Sequence, residues 1–410
     1  MSHAKRILYS TPVLAYPPQS GPALRVASSI KALAQVGEIY LHCRTAMSAS
    51  TLAYYSRYCV RVWQSPSGRQ PWHVMKRIAN RVGHSMLRRD LVALDGPRDH
   101  RDALRLCQEI VPDVVWLGHG QISYELLRYL KNTNAKLKIV LDTDSIWSRY
   151  VLRELPFVAK EGRRRAIVRA AEAKQEEERW GTALADVTTS VSDVDARYYK
   201  ELNGAEGRVR LFSNVIDVDD YKAVPPAPAC FRRPALCLAG TFWPGSPMED
   251  ASRWLIDHVL PLVKRSVPQV HLYVIGRGSD RVLADVRDQA VTVTGRVNSV
   301  LPFLFHCDAS LVPLRFESGT RFKILEAGAC RKPVVSTTLG AEGLPVEHGE
   351  SIMLADSVEG FAEAIIRVLL DRDLAERLGG NLGRVVERQF SIDALARQAS
   401  AVLEYLGSLA

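Results

Sequence analysis

The chain has 410 residues, 47% of them apolar and 24% charged, with a formal net charge of +9. That length exceeds one ordinary core and predicts two domains of about 100–200 residues each, and the composition excludes a disordered or fibrous chain. Seven cysteines, at 43, 59, 107, 230, 237, 307 and 330, are odd in number and form no CxxC pair, which argues against a disulfide framework or structural zinc and for a reducing compartment.

The opening stretch MSHAKRILYSTPVLAYPP lacks a long apolar region, and no segment approaches the roughly 18 continuous apolar residues of a spanning helix. A cytoplasmic location is expected. KRILYST (5–11) reads as a strand, residues 22–36 as a helix and GEIYLHCR (37–44) as a second strand. From Arg57 to Arg89 there are eight Lys or Arg and no acid. Within that stretch Pro71 is a good first helical residue, and Trp72, Met75, Ile78, Val82 and Met86 recur at helical spacing among Lys76, Arg77, Arg81, Arg88 and Arg89. A basic amphipathic helix with a tryptophan reads as membrane-surface binding, and equally as an ordinary helix with a solvated basic face. Nucleic acid is not an expected partner, since aromatic–basic interleaving, zinc fingers and RNP-like segments are missing from the sequence.

Strands and helices then alternate: 102–112 helical, 113–120 a strand, SYELLRYLKNT (123–133) helical, LKIVLDTDS (137–145) a strand, 185–193 a strand, DARYYKELN (195–203) a helix. The Pro- and Ala-rich KAVPPAPACFRRP (222–234) is the linker, and the alternation restarts after it with ALCLAGT, a helix over 250–267, VHLYVIGRG, AVTVTGRV and CDASLVPLR. Amphipathic helices at 357–371 and 391–409 finish the chain. Such βαβ units give parallel sheets. The expected fold is α/β, two Rossmann-like doubly wound domains facing across a cleft: 1–221, a linker at 222–234, 235–390, and a C-terminal helix (391–410) packing back toward the first domain.

FESGTRFKILEAGACRKPVVST (316–337) carries the most chemistry. A strand ends at Phe316–Thr320, and Arg321 to Cys330 reads as a helix whose first-turn N–H groups lack partners. A phosphate fits there, favoured by the helix dipole, by Gly319 as a permissive turn residue and by the nearby Arg321 and Lys323. Glu326, three residues after Lys323, is placed to accept two hydroxyl hydrogen bonds, as from a ribose. The plain alternative is that Lys323 and Glu326 form an i,i+3 surface pair worth a few tenths of a kcal/mol.

FESGTRFKILEAGACRKPVVSTTLGAEGLPV resembles the nucleotide-binding motif of family 4 (group 1) glycosyltransferases of the GT-B fold. LCLAGTFWPGSPMEDASRWLIDHVLPLV, LYVIGRGSD and VTVTGRVNSV resemble the first half of that family's C-terminal domain, and VTTSVSDVDARYY and VRLFSNVIDVDDY the end of its N-terminal one. The resemblance covers most of 110–390 and implies a retaining, metal-independent transfer of a hexosyl or related sugar from a nucleotide diphosphate sugar to a glycan or lipid-linked acceptor in cell-surface polysaccharide assembly. Carried over, Glu326 matches the ribose-holding second glutamate of E-x7-E, Gly319 and Thr320 the turn at the phosphates and sugar, and His119 a histidine near the reaction centre. Gly21, in Ser20-Gly21, matches the glycine loop near the donor phosphate. Two departures stand out: Ser318 replaces the first glutamate, with Glu317 off register, and GTFWPGSPMED lacks the Arg and Lys of many relatives. Arg321 with Lys323, or Arg315, is left to face the leaving diphosphate. Since many acceptors of such enzymes are lipid-linked, residues 71–89 are assigned an anionic membrane surface as partner, making the protein peripheral at the inner face.

Asp142-Thr143-Asp144 has the form of a divalent-metal D-x-D string, but DVD recurs at 193–195 and 217–219, and in this fold a strand-end aspartate is common without metal. No metal and no cofactor are expected. VIGRGSD lacks G-x-G-x-x-G, which argues against a dehydrogenase. The remaining rivals are a sugar-nucleotide epimerase of the same architecture and, from another class, a non-catalytic subunit that binds nucleotide sugar or a partner enzyme.

Overall fold

The computed structural model describes residues 4–65, 96–204 and 206–409, so the basic helix expected at 71–89 lies outside the described residues. The chain divides into two compact units, Met1–Asn214 with Ile392–Ala410, and Val215–Ser391.

The first unit is built on seven parallel strands: β1 (Lys5–Thr11), β2 (Gly37–Cys43), β3 (Arg61–Gln64), β4 (Val114–Leu117), β5 (Ile139–Asp142), β6 (Val187–Ser190) and β7 (Val209–Leu211). Their order is β3-β2-β1-β4-β5-β6-β7, and β1 pairs β2 in register from Lys5↔Gly37 to Thr11↔Cys43. The central strands read as continuous apolar runs because helices cover both faces; Ile7, Leu8, Tyr9 and Val140 are wholly buried. The order reverses between β1 and β4, which makes their carboxyl ends a switch point.

Helix Gly21–Leu33 carries Arg25 into the interior, and helix Glu161–Leu184 was not legible in the sequence because its buried residues are few and partly polar: Ile167, Ala171, Glu178, Gly181 and Thr182. The last helix, Ile392–Ser408, packs on helix Gly21–Leu33. Lys138 Nζ donates to the carbonyls of Leu406 and Leu409 at 2.7 and 2.8 Å, and Gln398 accepts from the Ser213 amide at 2.8 Å.

The second unit holds six parallel strands, β8 (Ala235–Ala239), β9 (His271–Ile275), β10 (Val291–Val293), β11 (Ala309–Val312), β12 (Val334–Ser336) and β13 (Met353–Leu354), in the order β10-β9-β8-β11-β12-β13. The switch point here lies between β8 and β11. The helix expected at 250–267 runs as Pro247–Trp254 and Leu260–Ser266 around a π turn, Leu255–Val259, just ahead of Pro261, whose missing N–H cannot serve an α-helical bond. Between β8 and β9 the backbones touch so closely that a Cβ on Gly276 would fall 1.8 Å from the Gly240 carbonyl oxygen.

The division falls at Asn214–Val215 rather than after residue 221, because the turn Val218–Tyr221 packs on helix Phe322–Ala329 of the second unit. Residues 222–234 are not a loose linker either. Phe231 stacks on Tyr273 at 4.7 Å, the Arg232 amide donates to Tyr273 Oη at 2.6 Å, and His306 Nε2 meets the Pro225 carbonyl at 2.8 Å. No helix of the described residues is long and apolar enough to cross a membrane.

Candidate functional site

In the second unit the loop after β11 carries Phe316 to Arg321 out from the switch point and into helix Phe322–Ala329, one residue shorter at each end than expected, with Arg321 as its N-cap. The Arg321 side chain makes no cap bond, and the Ile324 amide turns back to the Arg321 carbonyl at 3.1 Å. Gly319 has φ +78, a conformation that penalises any side chain. Ser318, Thr320 and Arg321 are buried, and Arg321 Nη2 donates to the Leu339 carbonyl at 3.3 Å.

Lys323 and Glu326 do not pair with each other. Lys323 Nζ lies 2.9 Å from Met248 Sδ, a weak, neutral acceptor. Burial pulls its pKa down to about 8, against the opposing fields of Glu317 and Glu326 and with the help of Arg321. Glu326 Oε1 accepts from Tyr221 Oη at 3.0 Å. Burial pushes the Glu326 carboxyl up, and the Tyr221 bond and the Lys323 charge partly offset this. Arg315 is withdrawn from the role left open for it: its Nε and Nη2 grip Asp250 at 2.9 and 2.5 Å, a bidentate pair that already uses its charge. The loop thus brings together a glycine turn, a buried guanidinium, an ammonium resting on a thioether and a carboxylate one turn further in. A phosphate and a diol are the groups that complement that set.

In the first unit His119 follows β4 in the left-handed region (φ +57) and is 7% exposed, between two glycines that ease the turn. Its Nδ1 lies 3.0 Å from Asp144 Oδ2, and its ring meets Trp147 edge-on at 6.1 Å. Burial alone would raise the Asp144 carboxyl, but His119 and, further off, Arg25 hold it below the ordinary range. Gly21 begins helix Gly21–Leu33 beyond the end of β1, after an N-cap, Ser20, whose side chain makes no cap bond. Asp142 is wholly buried. It pairs with Arg25 Nη2 and accepts from Thr189 Oγ1 at 2.7 Å, while Arg25 also donates to Asn214 Oδ1 at 2.9 Å and the Phe212 carbonyl at 3.0 Å. The D-x-D string therefore sends its two carboxylates to two different partners. Among the described residues no group of three His, Cys, Asp or Glu is placed to hold a metal ion.

The sequence-predicted residues fall into two groups, Gly21 and His119 at the β1/β4 switch point and Ser318, Gly319, Thr320, Arg321, Lys323 and Glu326 at the β8/β11 one. Sequence reasoning missed Tyr221, Met248, Asp144 as the partner of His119, and Arg25. Only Asp144 carried a signal, since the D-x-D string had drawn attention to it for another reason.

Residues 233–371 match the family model described as glycosyl transferases group 1. A GDP-mannose-dependent alpha-(1-6)-phosphatidylinositol monomannoside mannosyltransferase of Mycobacterium tuberculosis is 25% identical over 242 residues, 53% of this chain. The chain spans 61% of that relative's length. Among solved structures, Anabaena HepE in complex with UDP and glucose superposes with a TM-score of 0.67 at 14% identity, covering 98% of this chain and 100% of that one. Sucrose-phosphate synthase from Thermosynechococcus elongatus gives 0.70 at 17%, covering 99% and 100%. These likenesses, with the two doubly wound sheets, show the fold.

Proposed function

We propose, from the premise that residues 233–371 form a group 1 glycosyltransferase domain, that the protein transfers a sugar from a nucleotide diphosphate sugar with retention at the anomeric carbon. The observation that carries the reading is the loop after β11, where the Gly319 turn, the ammonium of Lys323 on a neutral acceptor and the carboxylate of Glu326 gather at one switch point. In this reading Glu326 takes the ribose hydroxyls and the Gly319–Thr320 turn lies against the diphosphate. Lys323 and Arg321 meet the charge that grows on the leaving phosphate, the term that most lowers such a barrier. The departing phosphate accepts the acceptor's proton on the same face, so no pair of catalytic carboxylates is needed, in contrast to glycosidases, and no metal is assigned a part.

The acceptor falls to the first unit, with His119, steadied by Asp144, as its histidine at the reacting end. The relatives suggest the classes to try: one is named for GDP-mannose and a phosphatidylinositol mannoside, another was solved with UDP and glucose. A lipid-linked or glycan acceptor, cell-surface polysaccharide assembly and an anionic membrane surface for residues 71–89 belong to the same proposal. Liposome flotation in which the protein stays unbound with and without anionic lipid would remove the membrane part.

A second reading has one observation in its favour. Ser318 stands where the family has a carboxylate, and Arg315 is committed to Asp250, which leaves a site able to bind without turning over. A thermal-shift panel of UDP, GDP, ADP, TDP and their sugars, with and without Mg²⁺, on wild type and Glu326→Ala tests the donor site. A ligand at about 100 times its Kd stabilises by about 2.7 kcal/mol. A metal-independent shift for one nucleotide that Glu326→Ala abolishes supports the donor site, and release of that nucleotide from its sugar separates the transferase from the binding subunit. No shift with any nucleotide removes the donor site.

A further inference from the structure

We propose that Tyr221 is a positioning residue for Glu326: its phenol holds one carboxylate oxygen so that the other is presented, already oriented, to the hydroxyls of a nucleotide's ribose. The inference rests on the donor-site reading and adds a residue that no part of the 316–337 stretch contains.

Tyr221 closes the short turn Val218–Tyr221, which Asp217 caps by accepting from the Asp219 amide at 3.2 Å. The turn packs against helix Phe322–Ala329, and Tyr221 is 9% exposed. Its Oη reaches Glu326 Oε1 at 3.0 Å, and it is the one hydrogen-bond partner of that carboxylate among the described residues. The direction of the bond is fixed by chemistry. An ionised carboxylate only accepts, so the phenol donates. Burial, then the nearby Glu326 charge, pushes the phenol far above its ordinary range, which keeps the proton on Tyr221 wherever the protein is folded.

A glutamate has three side-chain torsions, and the last is broad. Tying Oε1 removes that freedom before any ligand arrives and leaves the second oxygen, with two acceptor directions, for a diol. Binding then avoids the cost of immobilising a rotamer-rich side chain, roughly 0.5–1.5 kcal/mol. Burial raises the Glu326 carboxyl, and the same bond and the Lys323 charge work against that, toward the ionised form that accepts from two hydroxyls at once. A phenol that merely anchored the chain after Val215 would need no carboxylate; an apolar contact or a backbone carbonyl would serve.

The test compares wild type, Tyr221→Phe, Glu326→Ala and the double variant by calorimetric titration with UDP against 2′-deoxy-UDP and GDP against 2′-deoxy-GDP. A hydrogen bond to a charged group sets the scale, so wild type should prefer the ribonucleotide by about tenfold or more. Tyr221→Phe should shrink that preference to within about threefold at an unchanged folded fraction. Glu326→Ala should remove it, and the double variant should match Glu326→Ala. Tyr221→His, which keeps an N–H donor on a shorter ring, should recover part of the preference and serves where the Phe variant does not fold. Full preference in Tyr221→Phe with loss in Glu326→Ala overturns the inference and leaves the donor site standing. Wild-type affinity in Glu326→Ala, or no wild-type binding of UDP, GDP, ADP or TDP, overturns the donor site and takes the inference with it.

Discussion

Lys323 offers a prediction whose size follows from its surroundings. Its ammonium has a thioether as hydrogen-bond acceptor at 2.9 Å, and burial brings its pKa to about 8. In the free protein it is therefore about nine-tenths protonated at pH 7 and about one-tenth at pH 9. If the charged form alone binds a diphosphate, affinity falls about tenfold over that interval, or about 1.4 kcal/mol. Titrations of UDP and GDP at pH 7, 8 and 9 and constant ionic strength measure this directly. Lys323→Arg stays charged at every such pH, so its profile should be flat at high affinity, and Lys323→Met should be flat at low affinity. A wild-type profile that is flat, or a slope that survives in Lys323→Met, refutes the assignment. The stability linkage has the opposite sense. The unfolded lysine, near 10.5, binds protons that the folded one has lost, so this group's contribution to stability rises with pH from about 8 to about 10.5.

Gly319→Ala should weaken nucleotide binding several-fold, since a Cβ at φ +78 costs about 1–2 kcal/mol and shifts the loop amides, whereas Gly349→Ala, at φ +76 with open space around its Cβ, should strain the fold and leave binding unchanged. Equal binding losses in both variants, by titration, would detach Gly319 from the site. Arg25→Met should lower stability by about 3–5 kcal/mol in urea unfolding, because Asp142 stays buried without its cation. Arg25→Met with Asp142→Leu should regain most of that loss; a single variant within about 1 kcal/mol of wild type contradicts the buried-pair account.

The fold was legible wherever a strand is buried on both faces. KRILYST, the quoted strand at 5–11, coincides with β1 from Lys5 to Thr11, and the parallel sheets follow from the βαβ alternation. What escaped did so for identifiable reasons. Helix Glu161–Leu184 shows too thin an apolar stripe, and β13, Met353–Leu354, is too short to carry a period. The boundary at Asn214–Val215 was displaced because the Pro-rich segment 222–234, read as a linker by composition, is pinned by Phe231, Arg232 and Pro225 to the second unit.

The candidate site divides along a different line. Its residues within 316–326 were legible because a turn glycine, two cations and a carboxylate lie within one helix start, where spacing alone carries chemistry. The groups that set their properties lie far off in the chain: Met248 is 75 residues from Lys323, and Tyr221 is 105 from Glu326. Neither has a local signal, since a methionine and a tyrosine at those places read equally well as core. Yet Met248 leaves Lys323 without a charged hydrogen-bond partner among the described residues, and Tyr221 decides which oxygen Glu326 can offer. Ser318 sharpens the point. A carboxylate at 318 would add negative charge beside Glu317, whose field already opposes the burial that lowers the Lys323 ammonium to about 8, and so would raise that group. The serine at 318 and the pH dependence expected at 323 are therefore one prediction. Ser318→Glu should raise the Lys323 pKa and flatten the wild-type binding profile between pH 7 and 9, and a slope unchanged by that substitution would separate the two residues.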